Sequence, residues 1–310
     1  MTETATAQGR GKLIVFGEHA VVYGQPAIAC SLARGATATI RRSHQPDWRV
    51  LTDERPLQVN DQVLLAGARL LEPFGLCADE LDIEVRLQIP VGAGLGSSAA
   101  MAVALARAAA RLQEISPDQI DARIDQAVAA SEAVFHGAAS GIDQRAAMGS
   151  GFFAFQRDDG HLQIDPLTIP SRSWVIARVA PSASTAEMVS GVATLCDRHP
   201  EVMPGLIDQF GAITRAGMRT LEQGRWEDVG ELMDLNHGLL AAIGVSTPAL
   251  DEACHRARSA GALGAKITGA GGGGCIVALS GDDGPGPIAA ALGSLGPVYS
   301  YELPSPTSMP

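Results

Sequence analysis

Three glycines alternate at positions 92, 94 and 96 in the stretch Pro90-Val-Gly-Ala-Gly-Leu-Gly-Ser-Ser-Ala-Ala100, and Ser97 and Ser98 follow them directly. Glycine lets a backbone bend sharply and approach a ligand closely. The alanine-rich run that begins at Ser98 reads as a helix, so free N–H groups and a positive dipole end face the loop. Together these make a cradle for an anion such as phosphate, with a serine hydroxyl within reach of a metal ion. The loop is not GxxxxGK[ST], which excludes the Walker type. A dinucleotide loop would follow the first strand, whereas three strand-like segments precede this one. A tight strand-to-helix turn with no ligand is the plain alternative.

A second glycine run, Gly269 to Gly274, contains four consecutive glycines from 271. Such a run is entropically unfavourable to order, so close approach to a ligand accounts for it better than a simple turn does. Candidate charged groups lie elsewhere. Glu132 falls late in a helical pattern, where an acid opposes the dipole, and a solvated glutamate is its ordinary reading. His136 follows four residues later on the same helical face and reads as structural. Asp143 ends Ser140-Gly-Ile-Asp143, where small residues let the chain carry a carboxylate into a cleft. His19 is either a packed core histidine or a substrate contact. His237, His255 and the cysteines read as structural.

The elements that must hold these residues are partly legible. Lys12 to Phe16, Ala36 to Arg41 and Asp82 to Ile89 alternate as strands, with Ile83, Val85, Leu87 and Ile89 on one face. Helices are expected from about Ser98 to Leu112 and from Ser116, a capping serine followed by Pro117, to about Phe135, ending near Gly137. Strands are expected over Gly151 to Phe155, Trp174 to Val179 and Cys275 to Leu279. Between the last two, helical patterns run over Thr185 to Cys196, Pro204 to Glu222, Trp226 to Ile243 and Pro248 to Ala260. Strands and helices mix without a regular βαβ repeat, which implies an α+β fold. The polar, proline-bearing segment 156–173 marks a domain boundary, giving domains 1–165 and 166–310. No fixed-period repeat is present, and the proline-rich tail after Leu303 is expected to be loose.

Bulk composition narrows the function. Aromatic residues are 4% of 310, so the core is built from Ala, Leu, Val and Ile. A net charge of -11 argues against nucleic-acid or anionic-membrane partners, which need a basic footprint. The five cysteines form no CxxC pair, so no zinc or disulfide framework is legible and reduced thiols are expected. The polar start MTETATAQGRGK has no apolar signal core, and Arg107 and Arg111 interrupt the alanine-rich run. The expected setting is cytoplasmic.

Three segments then resemble, in order, the motifs of the GHMP kinases. Gly11-Lys12-Leu-Ile-Val-Phe-Gly-Glu-His-Ala-Val-Val-Tyr-Gly-Gln-Pro-Ala-Ile-Ala29 is similar to the first, Pro90 to Ala100 to the second, and Lys266-Ile-Thr-Gly-Ala-Gly-Gly-Gly-Gly-Cys275 to the third. Within that family the first motif looks most like that of the mevalonate kinases, as does Glu132-Ala-Val-Phe-His-Gly-Ala-Ala-Ser-Gly-Ile-Asp143. One stretch departs from them: Val179-Ala-Pro-Ser182 replaces an Asp-Thr-Gly-like turn, with Ser184 and Thr185 supplying the hydroxyl that follows.

The resemblance implies a two-domain fold with the active site in the interdomain cleft. It implies transfer of a phosphoryl group from ATP, with Mg²⁺, to the primary hydroxyl of mevalonate. A sugar or phosphomevalonate kinase and an inactive nucleotide-binding regulator are the alternatives, and a homodimer is compatible with the family. By the same resemblance Gly92, Gly94, Leu95, Gly96, Ser97, Ser98 and Gly271 bind ATP, and Ser98 and Glu132 hold the metal. Asp143 and Lys12 are catalytic, and Glu18, His19 and Thr185 bind the substrate. Whether Asp143 takes a proton or only orients the hydroxyl stays open, because an adjacent ammonium makes any carboxylate a weaker base.

Overall fold

The alternation read in residues 82–89 is realised as a strand whose Leu81, Ile83, Val85 and Leu87 are buried, while Asp82, Glu84 and Arg86 face outward. The computed structural model describes residues 3–53, 55–135, 141–158 and 161–304; His136, Ser140 and the tail beyond 304 lie outside the described residues. In chain order the elements are β1 (Thr4–Phe16), β2 (Ala27–Arg42), β3 (Asp47–Thr52), β4 (Pro56–Leu57), α1 (Asp61–Leu71), β5 (Leu81–Leu87), α2 (Ser97–Leu112), α3 (Pro117–Phe135), α4 (Ile142–Met148), β6 (Phe152–Asp158), β7 (His161–Leu167), β8 (Arg172–Ala180), α5 (Thr185–Arg198), α6 (Met203–Glu222), α7 (Trp226–Ala242), α8 (Pro248–Ser259), β9 (Ala262–Thr268), β10 (Gly274–Ser280), α9 (Gly286–Leu292) and β11 (Val298–Leu303). The mixture is α+β, as expected.

The chain divides into two units that are not contiguous in sequence. Unit 1 holds Met1–Lys12, Ala33–Val91 and Leu95–Gly149; unit 2 holds Leu13–Leu32, Gly92–Gly94 and Ser150–Pro310. A single boundary at 165/166 does not describe this division, because β1 and β2 each run through both units. At 16 residues, β2 is roughly 50 Å long, enough to pair in each. The polar segment read as a boundary is instead strand β7, which pairs antiparallel with β6. Its Pro166 is tolerated because β7 is an edge strand.

In unit 1 the second half of β2 pairs antiparallel with β5, which pairs parallel with β3 and through it with β4. Helix α2 packs against β1 with almost no side-chain layer between them. A Cβ on Gly9 would lie 2.1 Å from the Ala100 carbonyl oxygen. Eight alanines of α2 are buried, which is how a chain poor in aromatics closes its core. In unit 2 the first half of β2 pairs with β6, and a second, antiparallel sheet runs β11-β8-β10-β9. Phe210, Leu240, Leu250, Ile267 and Ile276 anchor its core.

Candidate active site

The glycine loop at 92–96 has the conformation its composition demands. Gly92, Gly94 and Gly96 all take positive φ, at 68°, 79° and 72°, which side-chain-bearing residues rarely adopt. Gly96 is the N-cap of α2 and no side chain caps the helix, so first-turn N–H groups are offered to an anion. Ser97 and Ser98 are its first two residues. The Lys12 N–H donates to the Leu95 carbonyl at 2.9 Å, tying β1 to the loop.

Lys12 and Asp143, 131 residues apart, meet in unit 1. Lys12 Nζ donates to Asp143 Oδ1 at 2.6 Å. The side chains are 9% and 38% exposed, so the ammonium is nearly sealed while the carboxylate is open on one side. Asp143 lies in the first turn of α4, behind Gly141 at φ 76°, where a negative charge suits the dipole. Arg107 on α2 holds both sides of this pair. Its guanidinium donates to the carbonyl of Gln8 on β1 at 2.9 Å and to that of Met148 on α4 at 2.7 Å. Burial pushes its pKa down. In the sequence Arg107 reads only as an interruption of an apolar run; an arginine at a helix position otherwise filled with alanine is the signal for its role.

A cavity of about 450 Å³ opens in the same unit, walled by Trp48, Val50, Val63 and Met101 and edged by Ser97, Ser98 and Glu132. Trp48 lies on Gly67 of α1, where a Cβ would come 1.6 Å from its ring. The Trp48 Nε1–H is buried with no hydrogen-bond partner among the described residues. Ser98 and Glu132, expected to share a metal, therefore border one cavity. Their oxygen donors suit Mg²⁺, which favours one or two protein oxygens plus phosphate and water. Among the described residues no group of three His, Cys, Asp or Glu is placed to hold a metal ion.

In unit 2 the second glycine run takes positive φ at 269 and at 271–274. The neighbours that exclude side chains here belong to the chain itself. A Cβ on Gly271 would lie 2.3 Å from the Val245 carbonyl oxygen, and one on Gly273 would lie 2.0 Å from that of Pro181. A Cβ on Gly269 would lie 3.2 Å from Gly94 Cα, so the two glycine segments touch.

The side chain of Glu18, expected to contact substrate, is 1% exposed and forms an ion pair with the fully buried Lys266. Asn236 Nδ2 also donates to it at 3.4 Å. A carboxylate so enclosed is placed to organise its surroundings. Lys266 and Asn236 were missed; the signal was a lysine inside the apolar strand pattern Ala262 to Thr268. His19 is buried, and its Nε2 lies 2.8 Å from the Ala270 carbonyl oxygen. A carbonyl only accepts, so Nε2 carries the proton and Nδ1 is left as an acceptor. Burial lowers the pKa of His19. Thr185 is exposed at the first position of α5, beside Ser184, which forms a capping box with Glu187. His237, read as structural, lies between Asp251 and Cys254 where α7 and α8 pack.

A glycine loop at a helix N-terminus, a lysine–carboxylate pair and, at the edge of a cavity, the oxygen donors of Ser97, Ser98 and Glu132 are parts that phosphoryl transfer can use. The family models agree. GHMP kinases N terminal domain matches residues 62–151 and GHMP kinases C terminal matches residues 218–297, and the chain belongs to the GHMP kinase family. Its relatives include the mevalonate kinase of Methanothermobacter thermautotrophicus, 37% identical over 282 residues that cover 88% of this chain and 89% of that protein. The mevalonate kinase of Archaeoglobus fulgidus is 37% identical over 275 residues, covering 88% and 91%. Among solved structures, L. major mevalonate kinase in complex with R-mevalonate is similar with a TM-score of 0.84 at 26% identity, covering 98% of this chain and 97% of that one. Among the described residues no helix is long and apolar enough to cross a membrane.

Proposed function

We propose that the chain transfers the γ-phosphoryl group of ATP to the primary hydroxyl of mevalonate, giving 5-phosphomevalonate and ADP. The observation that carries this reading is the Lys12–Asp143 pair, set beside the glycine loop in a chain whose relatives at 37% identity are mevalonate kinases. Phosphoryl transfer needs positioning and charge neutralisation more than covalent chemistry. The N-terminus of α2 and Gly92, Gly94 and Gly96 cradle the triphosphate. The apolar cavity takes the base, with Trp48 on one wall. Asp143 accepts or orients the hydroxyl proton, and Lys12 stabilises charge on the moving phosphoryl oxygens. His19, through Nδ1, accepts a hydrogen bond from the substrate, and Thr185 offers it a hydroxyl. Ser98 and Glu132 would hold Mg²⁺, which when bound neutralises phosphate charge. The reading extends to the cytoplasm, where five free thiols stay reduced.

The test is coupled ADP release across mevalonate, phosphomevalonate, galactose and homoserine, with and without Mg²⁺. Release that depends on mevalonate and Mg²⁺ is expected. Turnover of another acceptor with none of mevalonate rejects the proposal.

A further inference from the structure

Gly17, Glu18 and His19 form a tight turn in unit 2. His19 sits at φ 61°, ψ -47°, and the Ala20 N–H donates to the Glu18 carbonyl at 2.6 Å across it. This is a γ-turn of the rare, strained hand. Gly17 ahead of it takes φ 91°, where a Cβ would lie 2.5 Å from Ala27 Cα. Strained turns persist only where their surroundings over-determine them. Here the two residues of the turn are tied to one hairpin. The Glu18 carboxylate takes the Lys266 ammonium on β9, and the His19 ring meets the Ala270 carbonyl in the β9–β10 turn. Lys266 also donates to the Ile267 carbonyl at 2.6 Å, and Thr268 on the same strand donates to Ile14 at 3.0 Å.

The ion pair is an expensive way to fill this volume. A buried pair is often no more stable than a well-packed apolar pair of the same shape. Lys266 is completely enclosed, and its desolvation is opposed chiefly by Glu18. Apolar residues would fill the space but fix no direction. An ammonium and a carboxylate fix the Glu18 side chain against a defined point of β9, and with it the turn that follows.

We infer that the buried Glu18–Lys266 pair, braced by Asn236, anchors the strained turn and thereby fixes the orientation of the His19 imidazole. Lys266 and Asn236 are then positioning residues for acceptor binding, acting through His19. This rests on the reading of His19 as an acceptor contact.

The experiment compares the parent with His19→Ala, with the double variant Glu18→Gln/Lys266→Met, and with the triple variant. The double variant replaces two opposite charges by neutral groups of similar shape, so its melting temperature should stay close to the parent's. Its KM for mevalonate should rise roughly 10- to 100-fold, the order lost on misplacement, while its KM for ATP stays within about twofold. Adding His19→Ala should then change little further. A folded double variant with parental mevalonate KM, or a triple variant showing the full sum of both losses, overturns the inference. Histidine ¹⁵N spectra of Glu18→Gln, with the His19 signal identified by its loss in His19→Ala, provide a readout that needs neither the double variant nor an acceptor. The parent should show one Nε2–H tautomer for His19, and the variant a mixture of tautomers. An unchanged signal also overturns the inference. A parent that ignores mevalonate rejects the proposed function, while the spectra still decide the anchor.

Discussion

Each unit contains one lysine–carboxylate pair, and the two differ in how far water can reach them. In unit 1 Lys12 meets an aspartate that is 38% exposed. In unit 2 Lys266 meets a glutamate that is 1% exposed. The same two charges can suit chemistry where a reactant has access, as proposed for Lys12 and Asp143, or architecture where it has none. A reactant can reach Asp143; Glu18 has been removed from reach. The supports differ accordingly. Asp143 comes from a helix of seven residues behind a glycine, whereas Lys266 comes from a strand buried along most of its length.

The largest effect should come from breaking the sealed pair on one side only. Lys266→Met leaves a carboxylate buried without its cation, which costs about 3–5 kcal/mol of folding stability. Lys12→Met removes the other cation beside an aspartate that water can reach, and should destabilise the fold far less. Denaturant unfolding of the two variants measures the contrast. Equal losses would mean that access does not separate the pairs.

Catalysis should show the reverse. Asp143→Asn keeps the size of the side chain and removes its charge, and turnover should fall by at least ~10²-fold, the low end for loss of a general base. Unfolding should be almost unchanged. Lys12→Met should also reduce turnover, and the two losses should be less than additive, because the residues act as a unit. A double-mutant cycle on turnover checks this. Turnover of Asp143→Asn within a few-fold of the parent removes it from the mechanism, and full additivity separates the two residues.

What could be read in advance divides along the same line. The alternation of Ile83, Val85 and Leu87 gave a strand, and the helical patterns beginning at Thr185 and Pro248 coincide with helix starts, because these signals are local. The Lys12–Asp143 partnership was legible only through family motifs, since 131 residues separate the two. Lys266 and Glu18 stand 248 residues apart, and although each lies in a family motif, nothing in either segment pairs it with the other. The glycine run at 271–274 was noticed, but its neighbours Val245 and Pro181 are set by tertiary packing that composition does not encode. β7 was hidden because a polar edge strand resembles a linker. The interleaving of the units was hidden because it depends on how far β1 and β2 extend.

The smallest effect concerns protons, and it sharpens the contrast by asking what else the sealed region keeps neutral. His19 and His237, both in unit 2, have pKa values lowered from the ordinary 6.5, in each case chiefly by burial. For His19 the Ala270 carbonyl and Glu18 oppose the shift. For His237 Asp251 opposes it, while Arg258 and Lys266 add to it. A depressed histidine stays neutral in the fold at a pH where the unfolded chain has already taken up a proton. Below 6.5 the unfolded state therefore binds more protons, and stability falls with pH down to the depressed folded value. Above 6.5 the contribution is complete. Carboxylates titrate lower, near 4 in model peptides, so the interval from about pH 6.5 to 5.5 isolates the imidazoles. Urea midpoints measured at about pH 7.5, 6.5 and 5.5 should be level across the first interval and drop across the second. His19→Gln, whose amide can still donate to Ala270, and His237→Gln should each flatten the drop, and the two together should nearly abolish it. A parent with no drop, or a drop that survives in the double variant, would show that the two imidazoles are not the groups held neutral.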